Sequence, residues 1–266
     1  MLILLPPSEG KAAAGSGRPV DPGRLSHPHL NPARERVLDA LAALCAAPDP
    51  EPARAALGLG PTQVDEVHRN ARLRHAPALP AARLYTGVLY EALDLASLPA
   101  PARRLATRWI LVFSGLWGVL RLTDRVPPYR CPVGAGLPGL GSVGGLGAYW
   151  RRVLSTHAFD GGGPILDLRS GAYGAMWAPS GAVAARTVTV RVLQERTVDG
   201  VSRRTVVSHF NKATKGRIVR DLALAGARPR SPADVATALR DLEYTVDEHE
   251  PVAGRPRQFD VVVTGV

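Results

Sequence analysis

The sequence predicts an α/β protein, a single domain in which a mixed, twisted β-sheet is flanked by helices. Three observations predict this. Short continuous apolar runs at Leu2-Ile3-Leu4-Leu5, Arg108–Phe113 and Pro164–Leu168 read as strands buried on both faces. Stretches of helical period separate them, as where Val37, Leu38, Leu41 and Leu44 share one face. Each apolar run also ends in a polar loop, and the loops at 6–11, 114–130, 167–173 and 208–217 stand where α/β folds place their sites. The 266 residues show no internal repeat and no linker, so one domain over 1–266 is expected.

Taken in order, Leu2–Leu5 is a strand closed by Pro6 and Pro7, and Ser8-Glu9-Gly10-Lys11 forms a polar turn at its end. Residues 12–33 read as a loop, in which His27 and His29 have the spacing of metal ligands but lack an acidic or Cys partner and read as solvated. A helix follows over 32–47. A short helix at 52–56, Leu57-Gly58-Leu59-Gly60-Pro61 and a helix at 62–71 have the form of a helix-hairpin-helix-like element near residues 52–71. There Gly58 and Gly60 would bring backbone amides to a DNA phosphate, with Arg69 and Arg72 beside them.

Tyr85-Thr86-Gly87 enters a helix carrying Leu93 and Leu95. The Arg108–Phe113 strand ends at Ser114-Gly115-Leu116-Trp117-Gly118, where the glycines allow close approach of a neighbouring element or a ligand. The loop beyond it offers Asp124, Tyr129 and Arg130. Residues 133–147 hold seven glycines and no charge and read as a flexible loop, followed by a helix from Tyr149. Thr187–Glu195 and Arg203–His209 read as strands paired through an Asp199-Gly200 turn. Ser208–Arg217 is a junction leading into a helix over 218–224, Ser231 caps a helix to about Leu242, and Gln258–Thr264 is a final strand.

Charge narrows the partners. A net charge of +10 favours anions: nucleic acid, nucleotides or acidic surfaces. Thirty of the basic residues are arginines and three, Lys11, Lys212 and Lys215, are lysines. In so arginine-rich a chain a lysine marks a place where a compact ammonium is needed rather than a planar guanidinium. Two of the three lie where a strand gives way to a helix, a junction suited to anions. Cys45 and Cys131 form neither a metal motif nor a disulfide framework, which points to a reducing cytoplasm. The apolar stretch Trp109–Leu120 is broken by Ser114, Gly115 and Gly118 and falls short of the roughly 20 residues of a membrane span. No metal, haem or flavin signature stands out.

Two readings follow from these residues. In one, the arginines and the hairpin hold DNA without sequence preference. In the other, the strand-end loops converge on a pocket for a nucleotide or another phosphate-bearing small molecule, and the protein is an enzyme or descends from one. Lys11, Lys212 and Lys215 would clamp the anion with Arg121 and Arg130. Ser8, Glu9, Asp124 or Tyr129 would supply proton chemistry, and Ser114, Gly115, Ser170, Tyr173, His209 and Asn211 would line the walls.

An ordered set of motifs resembles a known family. Met1-Leu2-Ile3-Leu4 with Pro7-Ser8, Tyr85-Thr86-Gly87, Phe113-Ser114-Gly115-Leu116-Trp117-Gly118-Val119-Leu120-Arg121 with Asp124, and Pro128-Tyr129-Arg130 come first. Tyr149-Trp150, Leu168 with Ser170 and Tyr173, and Phe210 with Lys212 and Gly216 complete it. The set resembles the YaaA (DUF328, UPF0246) peroxide-stress proteins. The turn Pro7–Lys11 stands where better-known members carry Ser-Pro-Ala-Lys. The resemblance implies one α/β domain with a helix-hairpin-helix element and a basic cleft. It further implies DNA binding and a role in surviving hydrogen peroxide, linked to lower free intracellular iron.

Overall fold

Strand β1 (Leu2–Leu5), with three residues wholly shielded from solvent, pairs in parallel with a strand on either side, and the sheet grows outward from it. The structure, a computed structural model, describes residues 1–141, 144–155, 159, 161–198, 201–205 and 208–264. After β1 the chain forms α1 (Asn31–Cys45), α2 (Glu51–Leu57), α3 (Val64–Ala71), β2 (Leu79–Pro80), α4 (Ala81–Leu84) and α5 (Val88–Leu93). Next come α6 (Ala100–Trp109), β3 (Ile110–Ser114), β4 (Gly118–Arg121), β5 (Arg125–Val126), α7 (Gly145–Leu154) and β6 (Ile165–Asp167). The helices α8 (Gly171–Gly174) and α9 (Gly181–Ala185) precede the strands β7 (Thr187–Val198) and β8 (Val201–Thr205). The chain closes with α10 (Ser208–Leu224), α11 (Pro232–Asp241), β9 (Thr245–Glu248) and β10 (Arg257–Thr264).

The expected α/β class holds. Eight strands make a mixed sheet in the order β4-β3-β1-β6-β7-β10-β9, with β8 paired to β7. Its centre is parallel: β3, β1, β6, β7 and β10 all run one way, and β4, β8 and β9 are antiparallel additions. Parallel strands must be covered on both faces, which is why β1, β3 and β6 read as unbroken apolar runs. Register puts Leu4 opposite Leu111 and Asp167, so the C-terminal ends of β3, β1 and β6 share one edge of the sheet.

Four elements differ from expectation. The strand expected from Arg108 begins at Ile110, because Ala102, Ala106 and Trp109 form the buried stripe of α6. The stretch after Gly118 is a strand, β4. Gly118 turns the chain back at φ 69°, and a Cβ there would meet the Trp150 ring at 2.6 Å. The edge strand β9 went unread because Val246 alone of its four residues is buried. Most consequential, α10 begins at Ser208, about ten residues before its apolar run. Lys212 and Lys215 therefore lie within a helix, not at a strand–helix junction. The expected Asp199-Gly200 turn falls outside the described residues; the strands on either side of it pair, but the second is Val201–Thr205 rather than Arg203–His209, whose Ser208 and His209 belong to α10.

Candidate functional site at the strand ends

Backbone stitching builds the first wall. The loop after β1 is sewn to the segment after α4: Lys11 bridges to Tyr85, the Ala12 amide donates to Leu84 O at 2.8 Å, and the Thr86 amide donates to Ser8 Oγ at 3.1 Å. Ser8 Oγ donates in turn to Gly10 O at 2.6 Å, so this hydroxyl organises the turn. The fold sends the half-buried Lys11 side chain back over its own loop. Its Nζ donates to Ser8 O at 2.8 Å and to Glu9 O at 3.4 Å, and lies 4.3 Å from the centre of the Tyr129 ring.

The loop after β5 supplies the second wall. Asn70 on α3 clamps the Arg130 backbone, its Oδ1 accepting from the Arg130 amide at 3.0 Å and its Nδ2 donating to the carbonyl at 2.6 Å. The Arg130 guanidinium meets Glu9 at 3.0 Å, while its Nε is shut off from solvent and finds no acceptor among the described residues. The Tyr129 hydroxyl lies 2.9 Å from that of Tyr85 and 2.6 Å from Ser114 Oγ. Tyr85 stacks on Tyr90, whose hydroxyl donates to Pro6 O. Burial pushes the Tyr173 phenol up, and Arg130 and the Val133 backbone pull it the other way. Thus four of the chain's six tyrosines gather around Lys11 and Arg130.

Electrostatics marks the place. Burial, and then the Arg130 charge, bring the Lys11 pKa down to about 8. Burial also raises the four phenols, so the tyrosines stay neutral at physiological pH. Both thiols are buried and pushed up by burial, which makes them poor thiolates and poor reductants of peroxide.

A second charged group closes the β6 end. Asp167 takes a two-pronged bond from Arg169 at 2.9 and 2.6 Å, and Arg169 also donates to Trp177 O and Tyr173 O. Its guanidinium lies 4.2 Å from the centre of the Phe113 ring. From α10, Lys215 reaches the Arg169 carbonyl at 3.5 Å, its pKa lowered by burial and partly restored by Asp167. Gly216 lets α10 come this close: a Cβ there would lie 2.1 Å from Leu89 O on α5.

Of the residues expected at the site, Ser8, Glu9, Lys11, Ser114, Tyr129, Arg130 and Tyr173 come together. Lys215 is buried at the neighbouring Asp167–Arg169 pair. Ser170 is exposed at the start of α8, Asn211 is half-buried, Lys212 is exposed, and the side chain of His209 lies outside the described part of the molecule. Gly115 faces protein rather than open space, since its Cβ would meet Cys131 O at 2.5 Å.

Arg121 and Asp124 stand apart. Arg121 is opposite Leu111, three residues before Ser114 and so about 10 Å from the site edge. Asp124 is buried and already accepts from the Ser26 amide, the Ser26 hydroxyl and the Arg121 amide. It tethers the loop at Ser26 and faces Arg34. Sequence reasoning missed Asn70, Tyr85 and Tyr90 as parts of the site. The grouping of so few tyrosines near the predicted loops was the available signal.

The glycine turn between α2 and α3 is also self-contained. Gly58, at φ 62°, donates to Ala55 O, Leu59 donates to Arg54 O, and the Gly60 amide donates to the Gln63 side chain. Arg69 is paired with Glu66, and Arg72 Nε donates to His68 O. On the outer face of α3, Arg69 and Arg72 line an open recess of about 740 Å³ with His68 and His75.

A mostly parallel α/β sheet carrying a lysine, an arginine and a tyrosine cluster at its strand ends defines a single-domain α/β protein with a cationic strand-end site. Its family follows from comparison. The chain belongs to the YaaA peroxide stress protein family, whose model matches residues 1–250. It is 56% identical to a UPF0246 protein of Streptomyces coelicolor, with 99% of this chain and 98% of that one covered. A UPF0246 protein of Corynebacterium efficiens is 39% identical, with 99% and 100% covered. One of Corynebacterium glutamicum is also 39% identical, with 94% and 96% covered. Among the described residues no helix is long and apolar enough to cross a membrane, and no His, Cys and carboxylate groups gather as a metal site would need.

Proposed function

We propose that this protein serves in peroxide stress by binding a small phosphate-bearing anion at the Lys11–Arg130 edge. One observation carries the reading. Two cations are drawn together in a half-buried place whose acceptors do not match them. Lys11 has two backbone carbonyls, and Arg130 has Glu9, whose side chain is 76% exposed, and an Nε with no acceptor among the described residues. Arg34 shows what a structurally satisfied cation looks like in the same fold. It is wholly buried and donates to Trp117 O, Val119 O, Ser26 O and Asn31 Oδ1. A phosphate at the edge would displace the exposed Glu9, accept from both cations and restore full charge to Lys11. A lysine titrating near neutrality beside a phenol is also placed to pass a proton to a bound ligand.

DNA contact is the second reading, supported by the net charge of +10 and the recess beside Arg69 and Arg72. The turn amides are already bonded within the chain, so such contact would run through arginine side chains. The test is a thermal-shift titration with inorganic phosphate, tripolyphosphate, nucleotides and duplex DNA, on the wild type and on Lys11→Met. Saturating anion is expected to raise the wild-type midpoint by about 5 °C or more, and Lys11→Met removes the response. Stabilisation by duplex alone, undiminished in Lys11→Met and lost in Arg69→Gln/Arg72→Gln, would overturn the anion site in favour of DNA.

A further inference from the structure

Beside the cationic edge lies a second recess, of about 340 Å³, walled by Val133, Gly134, Gly147, Ala148, Ala172 and Arg151. Most of these residues carry no side chain beyond Cβ, so the walls are flat and the backbone is within reach. The charged member, Arg151, has its Nε fixed to Ala175 O at 3.0 Å, which anchors the guanidinium at the rim. Gly134 has space to spare: a Cβ built there meets nothing within 4 Å, and its φ is an ordinary one. Among the described residues nothing packs against it to require its smallness, in contrast to Gly115, Gly118 and Gly216.

The recess and the cationic edge share a wall. Val133 lines the recess and belongs to the loop that carries Arg130. Ala172, the residue before Tyr173, lines the recess too. Val133 and Arg130 are three residues apart, and the Gly147 amide donates to Val133 O at 2.8 Å, which holds the recess floor to the same loop. A ligand straddling Tyr173 would put one end against flat, small-residue walls with a guanidinium at the rim. Its other end would meet Lys11 and the buried Arg130 Nε, which has no acceptor among the described residues.

We infer that the recess holds the planar heteroaromatic ring of a nucleotide whose phosphate sits at Lys11 and Arg130. This rests on the anion site proposed above and names the class of its ligand. A recess of this volume, at the small end of ligand pockets and lined by small residues, has room for a ring. Arg151 offers a donor edge to ring acceptors or a face for stacking, either of which favours an aromatic heterocycle over an alkyl chain.

The experiment compares two probes, ATP and inorganic tripolyphosphate, which share a phosphate chain and differ by the nucleoside. Affinities are measured by calorimetry for the wild type, Gly134→Leu, Ala172→Leu and Arg151→Ala, each checked for an unchanged circular dichroism spectrum. The wild type is expected to bind ATP about tenfold or more tightly than tripolyphosphate, the worth of one stacked base. Filling the recess with Gly134→Leu abolishes that advantage and leaves tripolyphosphate affinity unchanged. Ala172→Leu and Arg151→Ala carry the same test should Gly134→Leu fail to fold. Equal affinity of the wild type for both probes, or undiminished ATP preference in the filled variants, overturns the recess while the anion site stands. No binding of either probe overturns both.

Discussion

Replacing Lys11 with methionine should make the protein more stable at neutral pH. The side chain stays unbranched and apolar to within one atom of the lysine's length, and the charge disappears. A fall in pKa from 10.5 to about 8 means that the folded site disfavours the ammonium by about 3 kcal/mol at neutral pH. Because Lys11 is only half-buried, solvent screening reduces the realistic gain to about 2 kcal/mol. The sign with pH follows from proton counts. The unfolded chain holds the Lys11 proton up to about pH 10.5, whereas the folded protein releases it near pH 8, so the unfolded state binds more protons between these values. Wild-type stability therefore gains from this group as pH rises through that window, and the advantage of Lys11→Met shrinks. Urea unfolding of both proteins at about pH 7 and about pH 9.5 measures this. The difference between them cancels groups that titrate alike in both. A variant less stable than the wild type at pH 7, by a margin that ignores pH, would refute the reasoning. Lys11 would then be a structural cation whose needs are met.

Three further outcomes are expected. Ser114→Ala removes the hydroxyl that bonds both the Tyr129 phenol and the Trp117 amide, all buried, and should cost about 2–4 kcal/mol in denaturant unfolding. The loss should be less than additive when combined with Tyr129→Phe. Gly216→Ala drives a methyl into Leu89 O and should cost about 3 kcal/mol or more, visible as a lowered melting midpoint, whereas Gly134→Ala should be neutral. For Asp260, burial works to raise the pKa, but hydrogen bonds from Arg191, His249 and Gln258 outweigh it and hold the carboxyl at about 2. The stability it lends is present above the unfolded carboxylate pKa and is lost as pH falls toward 2. Asp260→Asn should therefore cost about 2 kcal/mol at neutral pH and almost nothing in strong acid, as read by unfolding across that range.

The core of the sheet was legible because parallel strands must be apolar on both faces, and Leu2–Leu5 and Ile110–Phe113 say so directly. That Ser8, Lys11, Tyr129 and Arg130 meet at the strand ends was legible from the polar loops that follow buried strands. What was hidden depended on contacts distant in sequence. The start of α10 is polar on every side, and only its packing on α5 through Gly216 shows that Thr214 and Lys215 are interior. Arg121 and Asp124 looked like site residues because they follow the Phe113–Leu120 block. The antiparallel return of β4, which no local pattern announces, carries them away from the edge. The same block proved to be largely architecture. Gly115 admits the Cys131 carbonyl, Gly118 admits the Trp150 ring, and Trp150 Nε1 donates to Gly115 O at 2.7 Å.

The lysines sharpen the difference between structural and poised charge. An arginine-rich chain can bury a guanidinium where four acceptors meet it, as they do Arg34, and its pKa of about 10 still leaves it charged at neutral pH. A guanidinium in the place of Lys11 would be charged under all physiological conditions, with too few acceptors in the loop to satisfy it. An ammonium can instead give up its proton and wait in a half-buried place at modest cost. Burial lowers the pKa of Lys215 as well, and Asp167 opposes that shift. A lysine held near its titration point responds to whatever anion arrives. Negative charge at the edge raises its pKa, so binding draws in a proton and weakens as pH climbs past about 8. If the proposed anion binds, Lys11 is a place where charge is conditional on a ligand, and Arg34 one where it is fixed by the fold.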